Sequence, residues 1–183
     1  MKKLLCTALL CTCIGPAAAA SYTLDPHHTN ARFAADHHET STNTGGFYLL
    51  EGKLQFDPVQ KTGTVDIVIP LAKLNSGNPD FDQHLKTADF FHAEKFPEMR
   101  FVSEEFLFKD GRLNKIRGKL TIFDQTRPVT LKAKKFNCYF NEMQKKETCG
   151  GDFTAKIKPT QWGFKAPAEA RLAIQVEAFK DSE

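Results

Sequence analysis

Six histidines are the residues of this chain best suited to bind a metal or to move a proton. They form two adjacent doublets and two single sites, His27-His28, His37-His38, His84 and His92. Adjacent residues on a β-strand point to opposite faces, so a doublet offers at most one ligand to any one side. No His-x-x-x-His or comparable spacing occurs. We therefore predict no metal site and no cofactor, and keep a histidine-based metal-binding protein as an alternative.

Catalysis would need a nucleophile beside a base, or a pair of carboxylates. Asp25, Asp89 and His84 could meet in space, but their spacing does not require it. Asp25 precedes Pro26, and both aspartates suit plain turn and cap roles. We predict no catalytic residues and no enzyme. A barrel-fold enzyme acting on a lipid-like substrate is the alternative.

The cysteines divide between a leader and the mature chain. Lys2 and Lys3, the apolar run 4–14 and the small residues before Ser21 predict a cleavable signal peptide over 1–20. We therefore expect a periplasmic or secreted mature chain, 21–183. Only Cys138 and Cys149 follow the leader, and an even pair in an exported protein predicts one disulfide across a hairpin. Removing the leader lowers the formal net charge from +3 to +1, and no basic stripe interleaved with aromatics indicates nucleic acid.

The stretch 81–101 holds five of the sixteen phenylalanines and does not alternate like a strand. Asp80 as N-cap and Gln83 three residues later predict a short helix that starts near Phe81. Pro97 ends any helix there. A connection this apolar must cover a core or close a cavity.

Most of the remaining chain alternates apolar and polar residues with period two. Examples are Ala31 to Ala35, Val65 to Ile69, Ile116 to Ile122, Val129 to Ala133 and Leu172 to Ala178. About eight or nine such strands, joined by short polar turns, must close into a sandwich or a barrel. The phenylalanine content favours a barrel, because a barrel of about eight strands can hold one small ligand. We predict a single antiparallel eight-stranded barrel with a short helical connection around 80–92.

Three blocks, in order and at matching spacing, resemble the YceI-like family of periplasmic polyisoprenoid-binding proteins with a lipocalin-like barrel. The resemblance covers nearly all of 21–179. The blocks are Tyr22-Thr-Leu-Asp25-Pro26-x-His28-Thr29 continuing through Phe33, His37, Gly46-Phe47 and Phe56-Asp57; Asp82-x-His84-Leu85-x-x-Ala88-Asp89-Phe90-Phe91 continuing through Lys95-Phe96-Pro97 and Phe101; and Gly118-x-Leu120-Thr121-Ile122 followed by Thr126-Arg127-Pro128-Val129-Thr130-Leu131.

Two positions depart from the family pattern. Phe81 stands where the family usually has an Arg, and Asp124 stands where it usually has a Gly. Loss of the Arg removes a charge that could pair with an anionic headgroup. It also adds an aromatic side chain where a ligand could enter.

The resemblance implies one long-chain isoprenoid lipid, a polyprenyl phosphate or a prenylated quinone such as ubiquinone, bound for transport, storage or sensing. Transient membrane contact is expected, and a homodimer is left open. Lys132, Lys134 and Lys135 are interpreted as a solvated outer face, with attraction to an anionic membrane as the alternative. The predicted ligand-binding residues, with the two histidines as polar groups near an opening, are Phe33, His37, Phe47, Phe81, His84, Leu85, Phe90, Phe91, Phe96, Phe101, Trp162 and Phe164.

Overall fold

The computed structural model describes residues 19–165 and 169–182. The basic and apolar parts of the predicted signal peptide lie outside the described residues. The strands are β1 (Ala20–Leu24), β2 (Asn30–His37), β3 (Ser41–Tyr48), β4 (Glu51–Asp57), β5 (Thr62–Pro70), β6 (Leu74–Asn75), β7 (Glu98–Lys109), β8 (Arg112–Ile122), β9 (Gln125–Asn141), β10 (Lys146–Ile157) and β11 (Ala170–Lys180). The helix α1 spans Pro79–Lys86, and two 3-10 helices span Leu71–Lys73 and Pro159–Trp162.

Eight strands close into an antiparallel barrel. Their hydrogen-bonded order is β1-β4-β5-β7-β8-β9-β10-β11, and β11 pairs back with β1. The sequence left a sandwich and a barrel open, and the β1–β11 pairing decides for the barrel. The predicted fold, a single antiparallel eight-stranded lipocalin-like barrel, is thereby confirmed.

The three strands outside this ring, β2, β3 and β6, continue β1, β4 and β5 of the ring. Like β1, β2 pairs with β11. β3 then pairs with β2, and β6 pairs with β3. One interruption separates the two segments of each strand. It is the turn at 25–29 between β1 and β2, Leu49 at a φ of 56° between β3 and β4, and the 3-10 helix after Pro70 between β5 and β6. Eleven segments therefore occupy eight strand positions.

Successive strands run in opposite directions, so the connections collect at two ends of the barrel. The short turns 58–61, 110–111 and 142–145 lie at one, which we call the hairpin end. The other, the helical end, carries the turns 38–40 and 123–124, the long connection 76–97 and the described part of 158–169.

The helix begins two residues before the predicted position. Asn78, not Asp80, is the N-cap, and its side-chain oxygen accepts hydrogen bonds from the backbone N–H groups of Asp80 and Phe81 at 3.0 and 3.2 Å. Pro79 favours this start, because proline at the first helical position loses no hydrogen bond. The helix ends at Lys86, and tight turns continue from it, with the Phe91 N–H donating to the Leu85 carbonyl at 3.0 Å.

The hairpin end of the interior is a packed aromatic core. The ring of Phe56 lies 5.1 Å from that of Phe136 and 6.4 Å from that of Phe108. A small pocket of about 30 Å³ remains among Phe136 and apolar side chains that include Leu54, Phe106 and Ile116.

The predicted disulfide is confirmed. Cys138 on β9 and Cys149 on β10 lie directly opposite each other and are bonded. The hairpin turn that joins them contains Met143, as the alternation predicted.

Candidate functional site

Aromatic side chains fill the helical end of the barrel. Ring contacts run in a continuous series, with centroid distances of 6.0, 5.4, 5.2, 5.0 and 5.2 Å between successive members. Such distances suit edge-to-face and tilted aromatic pairs. We call this series the aromatic cluster, and its members in order are Phe33, Phe47, Phe91, Phe164, Phe123 and Phe96.

Strand register directs two members of the cluster into the barrel. Phe33 on β2 lies opposite Gly45, and Phe47 on β3 lies opposite Ala31, so both rings share the inner face. The ring of Phe33 covers Gly45 so closely that a Cβ at Gly45 would lie 2.6 Å from its Cζ. Glycine at position 45 therefore makes room for an aromatic side chain that reaches into the interior.

The other members come from the connections that cover the helical end. Phe91 and Phe96 lie on the segment after α1, Phe123 occupies the β8–β9 turn at a φ of 59°, and Phe164 follows the second 3-10 helix. Three separate connections thus meet over the open end of one barrel. Their rings contact one another and the rings of β2 and β3.

Trp162 anchors one of these connections. Its side chain is 1% exposed, and its Nε1 donates to the Leu120 carbonyl at 3.1 Å. The Arg127 Nε donates to the Gln161 carbonyl at 3.1 Å. The 3-10 helix ends at Gly163, whose φ of 96° favours glycine. The polypeptide that carries Phe164 is therefore fixed to β8 and β9.

The predicted ligand-binding residues divide into three groups and one isolated residue, His37. Five of them, Phe33, Phe47, Phe91, Phe96 and Phe164, belong to the aromatic cluster. Leu85, Phe101 and Trp162 are buried at 6%, 5% and 1% exposure. Phe81, His84 and Phe90 form a separate outer group, in which the His84 ring lies 6.3 Å from Phe81 and 4.7 Å from Phe90. His37 is exposed beside the turn at 38–40 and contacts His38.

Sequence reasoning missed Phe123, Ala31, Leu172 and Ile174. Phe123 stands alone in a tight turn, where no periodic pattern marks it. The other three carried a usable signal, because they alternate on strands, and register now places all three on the inner face with Phe47 and Phe153. They remain partly accessible, whereas Met99, Phe101 and Leu120 on the other side of the barrel are buried. The interior is thus less completely filled against β2 and β11.

A concave surface of about 1240 Å³ extends along β2, β3 and β9 to β11. Its lining includes the outward-facing residues Arg32, Lys132, Lys156 and Arg171. These residues lie on the faces of their strands opposite to Phe33 and Leu172. Only Phe33 and Trp162 among the predicted ligand-binding residues border it.

A polar site, separate from the aromatic cluster, fixes the break between β1 and β2. The buried carboxylate of Asp25 accepts hydrogen bonds from the His28 Nδ1 at 2.7 Å and from the His27 backbone N–H at 2.9 Å. Burial alone would raise the pKa of Asp25, but these hydrogen bonds outweigh it and lower the pKa. The same hydrogen bond to Asp25 raises the pKa of His28.

Possible ligand atoms of Asp25, His28 and Glu177 lie within 4.8 Å of one another.

Asp25, Asp89 and His84, the residues considered above as a possible catalytic group, do not meet. Asp25 binds His28, while Asp89 is exposed and pairs with Lys165 at 3.3 Å. Within the described ranges, no α-helix is long and apolar enough to cross a bilayer.

The closed barrel, apolar within and covered at one end by a helical connection, defines a class of lipocalin-like barrel proteins. The chain belongs to the YceI-like family, because the family model, the YceI-like domain, matches residues 22–178.

Relatives and solved structures agree with this membership. A UPF0312 protein of Photorhabdus laumondii is 30% identical over 178 residues, which cover 90% of this chain and 89% of the relative. The Campylobacter jejuni YCEI protein has a TM-score of 0.71 at 27% identity, covering 80% of this chain and 90% of its own. A polyisoprenoid binding domain from Saccharophagus degradans has a TM-score of 0.64 at 10% identity, covering 88% and 99%. At that identity the likeness shows the fold alone.

Proposed function

We propose that this protein binds one isoprenoid lipid inside the helical end of its barrel and performs no chemical step on it. The observation that carries the proposal is the aromatic cluster, whose rings enter a closed barrel from two strands and three connections. Aromatic and aliphatic walls suit an apolar chain without polar groups of its own. The proposed ligand class is also the one named for a domain of the same fold, described as polyisoprenoid binding.

Binding requires the cluster to open. In the conformation described, the rings of the cluster contact one another, so a lipid can pack among them only after they separate. Phe91 and Phe96 lie on the connection 76–97 rather than on strands, so their rings can separate from the others without breaking hydrogen bonds between strands. We infer that the lipid inserts between these rings and those of Phe33 and Phe47, and also contacts the partly accessible residues of β2 and β11.

The energy of burial is sufficient for such a ligand. Burying about twenty-five carbons of an isoprenoid contributes roughly 20 kcal/mol, at about 0.8 kcal/mol for each CH₂. Ordering the chain and moving the rings offset much of this. The apolar tail therefore supplies affinity, and groups near the opening distinguish a phosphate from a quinone.

The biological role follows from the location that the leader predicts. A protein exported to the periplasm that encloses an isoprenoid keeps it from water between membranes. We propose transport, storage or sensing of a polyprenyl phosphate or a prenylated quinone, with transient membrane contact during loading. No cofactor takes part in this function.

The single tryptophan offers a direct test. Trp162 is buried beside the connection that carries Phe164, so a quinone ring or a changed packing around it should alter its fluorescence. We expect a saturable change with one equivalent of prenylated quinone or polyprenyl phosphate, and none with the headgroup alone. A linear, unsaturable response to both compounds would contradict the proposal.

A further inference from the structure

Cations gather on the outer face of the barrel over β2 and β8 to β11. Pairing places Arg32, Ala173, Thr154, Lys132 and Lys115 in one continuous row across five strands. In the neighbouring row, Arg171 lies directly opposite Lys156. Lys134 borders the same concave surface. We call this surface the basic wall, and its residues are Arg32, Lys115, Lys132, Lys134, Lys156 and Arg171.

The basic wall contains two like-charge pairs in direct cross-strand contact. Lys156 faces Arg171, and Lys115 faces Lys132. Like charges directly opposite each other destabilise a sheet. In residues 19–165 and 169–182, the only ion pair made by the wall joins Lys156 to Glu169, at 2.8 Å. The fold itself therefore gains nothing from this arrangement of charge.

Elsewhere on the outer face, cations are matched by acids. Arg100 pairs with Asp66. Arg117 pairs with Glu105 at 3.0 Å, and Lys119 with Glu104 at 2.6 Å. Among the described residues, other cations without an ion pair lie outside the wall, Lys73 and Lys109 among them, but the wall brings six cations together on adjoining strands. An external anionic surface would complement this group of charges.

We propose that the basic wall docks the protein on an anionic phospholipid bilayer. The inference rests on the proposed function, because an isoprenoid must be taken from a membrane or returned to one. The strands that carry Arg32 and Arg171 outward carry Phe33 and Leu172 inward, on the less completely filled side of the interior. Docking through the wall therefore brings that side of the barrel to the bilayer.

The composition of the wall favours a bilayer over other polyanions. Its charges are spread over five strands, with Thr154 and Ala173 between them, so they can meet several separate headgroups. Single-stranded nucleic acid is bound on several stacking aromatic side chains, whereas Tyr48 is the one exposed aromatic residue bordering this surface among the described residues.

Vesicle sedimentation tests the proposal on the mature protein with its disulfide intact. We expect binding to phosphatidylcholine vesicles that contain phosphatidylglycerol, none to phosphatidylcholine alone, and loss of binding in high salt. The variant Lys132→Glu with Arg171→Glu should bind the anionic vesicles at least about thirtyfold more weakly, since each basic residue near such a surface contributes about 1 kcal/mol. Each new carboxylate lies opposite a retained lysine, so folding should not suffer.

The matched control is Lys73→Glu with Lys109→Glu, which makes the same change in net charge outside the wall. We expect it to retain vesicle binding within about threefold. The proposal would be overturned if the control loses as much binding as the wall variant, or if the wall variant binds vesicles normally. It would also be overturned if the wall binds heparin but not vesicles.

Titration of a prenylated quinone in detergent separates bilayer docking from isoprenoid binding. If the wall variant still binds the quinone, a failure of vesicle docking leaves the proposed function intact.

Discussion

At the scale of single residues, Asp25 holds the break between β1 and β2. Its carboxylate serves both the His28 ring and the His27 backbone, while the Asp25 N–H donates to the Glu177 carbonyl at 2.8 Å. We predict that Asp25→Ala lowers the free energy of unfolding by about 1–3 kcal/mol, because it removes two hydrogen bonds to a buried carboxylate. Denaturant unfolding measures this. An unchanged midpoint would mean that the break forms without the carboxylate.

The same pair predicts how stability depends on pH. The pKa of His28 is raised in the folded state from 6.5, so its contribution is complete below about pH 6.5 and is lost as the pH rises through the raised value. The pKa of Asp25 is lowered from 3.8, so its contribution is lost only as the pH falls through the lowered value. The pair therefore stabilises the fold most between about pH 4 and 6.5.

His28→Gln isolates the histidine part of this effect. From pH 6 to pH 9, the wild-type midpoint should fall relative to that of the variant, and only slightly, because the His28 side chain is 59% exposed and solvent screens the pair. Parallel pH profiles for the two proteins would show that the ion pair contributes nothing measurable.

The histidines are still predicted to form no tight metal site. Asp25, His28 and Glu177 come close enough to share an ion, but the His28 Nδ1 already donates to Asp25 and the ring is largely exposed. Calorimetry with Zn²⁺, Ni²⁺ and Cu²⁺ on tag-free protein should show nothing tighter than about micromolar. A stoichiometric, tighter site abolished by His28→Ala, His37→Ala or His84→Ala would contradict this.

At the scale of elements, phenylalanines on the connection 76–97 and phenylalanines on the strands have different roles. Phe91 lies on the connection and contacts Phe47 and Phe164, whereas Phe56 lies on β4 in the packed hairpin end. We predict that Phe91→Ala retains most of the stability of the ligand-free protein and binds a prenylated quinone roughly tenfold more weakly, since contact area with the ligand is lost.

Phe56→Ala is the matched control. It should cost about 3–5 kcal/mol of stability by leaving a cavity, with little effect on quinone affinity in the protein that remains folded. Denaturant unfolding and quinone titration of both variants give the comparison. A Phe91→Ala protein that loses several kcal/mol but binds the quinone normally would make the connection ordinary core.

The β9–β10 hairpin is stabilised by its disulfide. Cys138 and Cys149 close a short loop, with a sequence separation of 11. Loop entropy predicts a contribution somewhat under ~3 kcal/mol. Reduction, or Cys138→Ala with Cys149→Ala, should lower the unfolding midpoint accordingly. The disulfide would be energetically neutral if reduced and oxidised proteins unfold at the same denaturant concentration.

The elements were more predictable than their contacts. Alternation marked the strands, and the Phe-rich stretch 81–101 marked the connection that covers the helical end. Local spacing could not place the helix start, because Asn78 followed by Pro79 competed successfully with Asp80 as the cap. It also could not reveal the group formed by Asp25, His28 and Glu177, whose members meet only when β11 pairs beside β1 and β2.

At the scale of the whole molecule, closure of the ring depends on residues from opposite ends of the chain. Leu24 lies opposite Ala178, a pairing that no local pattern encodes. Closure gives the barrel two unlike ends and two unlike faces. Aromatic side chains pack in its interior at both ends, but only at the helical end do several of them come from connections rather than strands. On the outer face, the basic wall brings six cations together on adjoining strands.

The central claim is that the barrel carries an isoprenoid lipid. The most direct measurement is organic extraction of the mature protein, purified from its native compartment, followed by mass spectrometry of the extract. The account predicts one isoprenoid lipid for each chain, reduced in Phe91→Ala and retained in the Lys73→Glu, Lys109→Glu control. An extract without any isoprenoid, from protein that also fails to bind added prenylated quinone or polyprenyl phosphate, would contradict it.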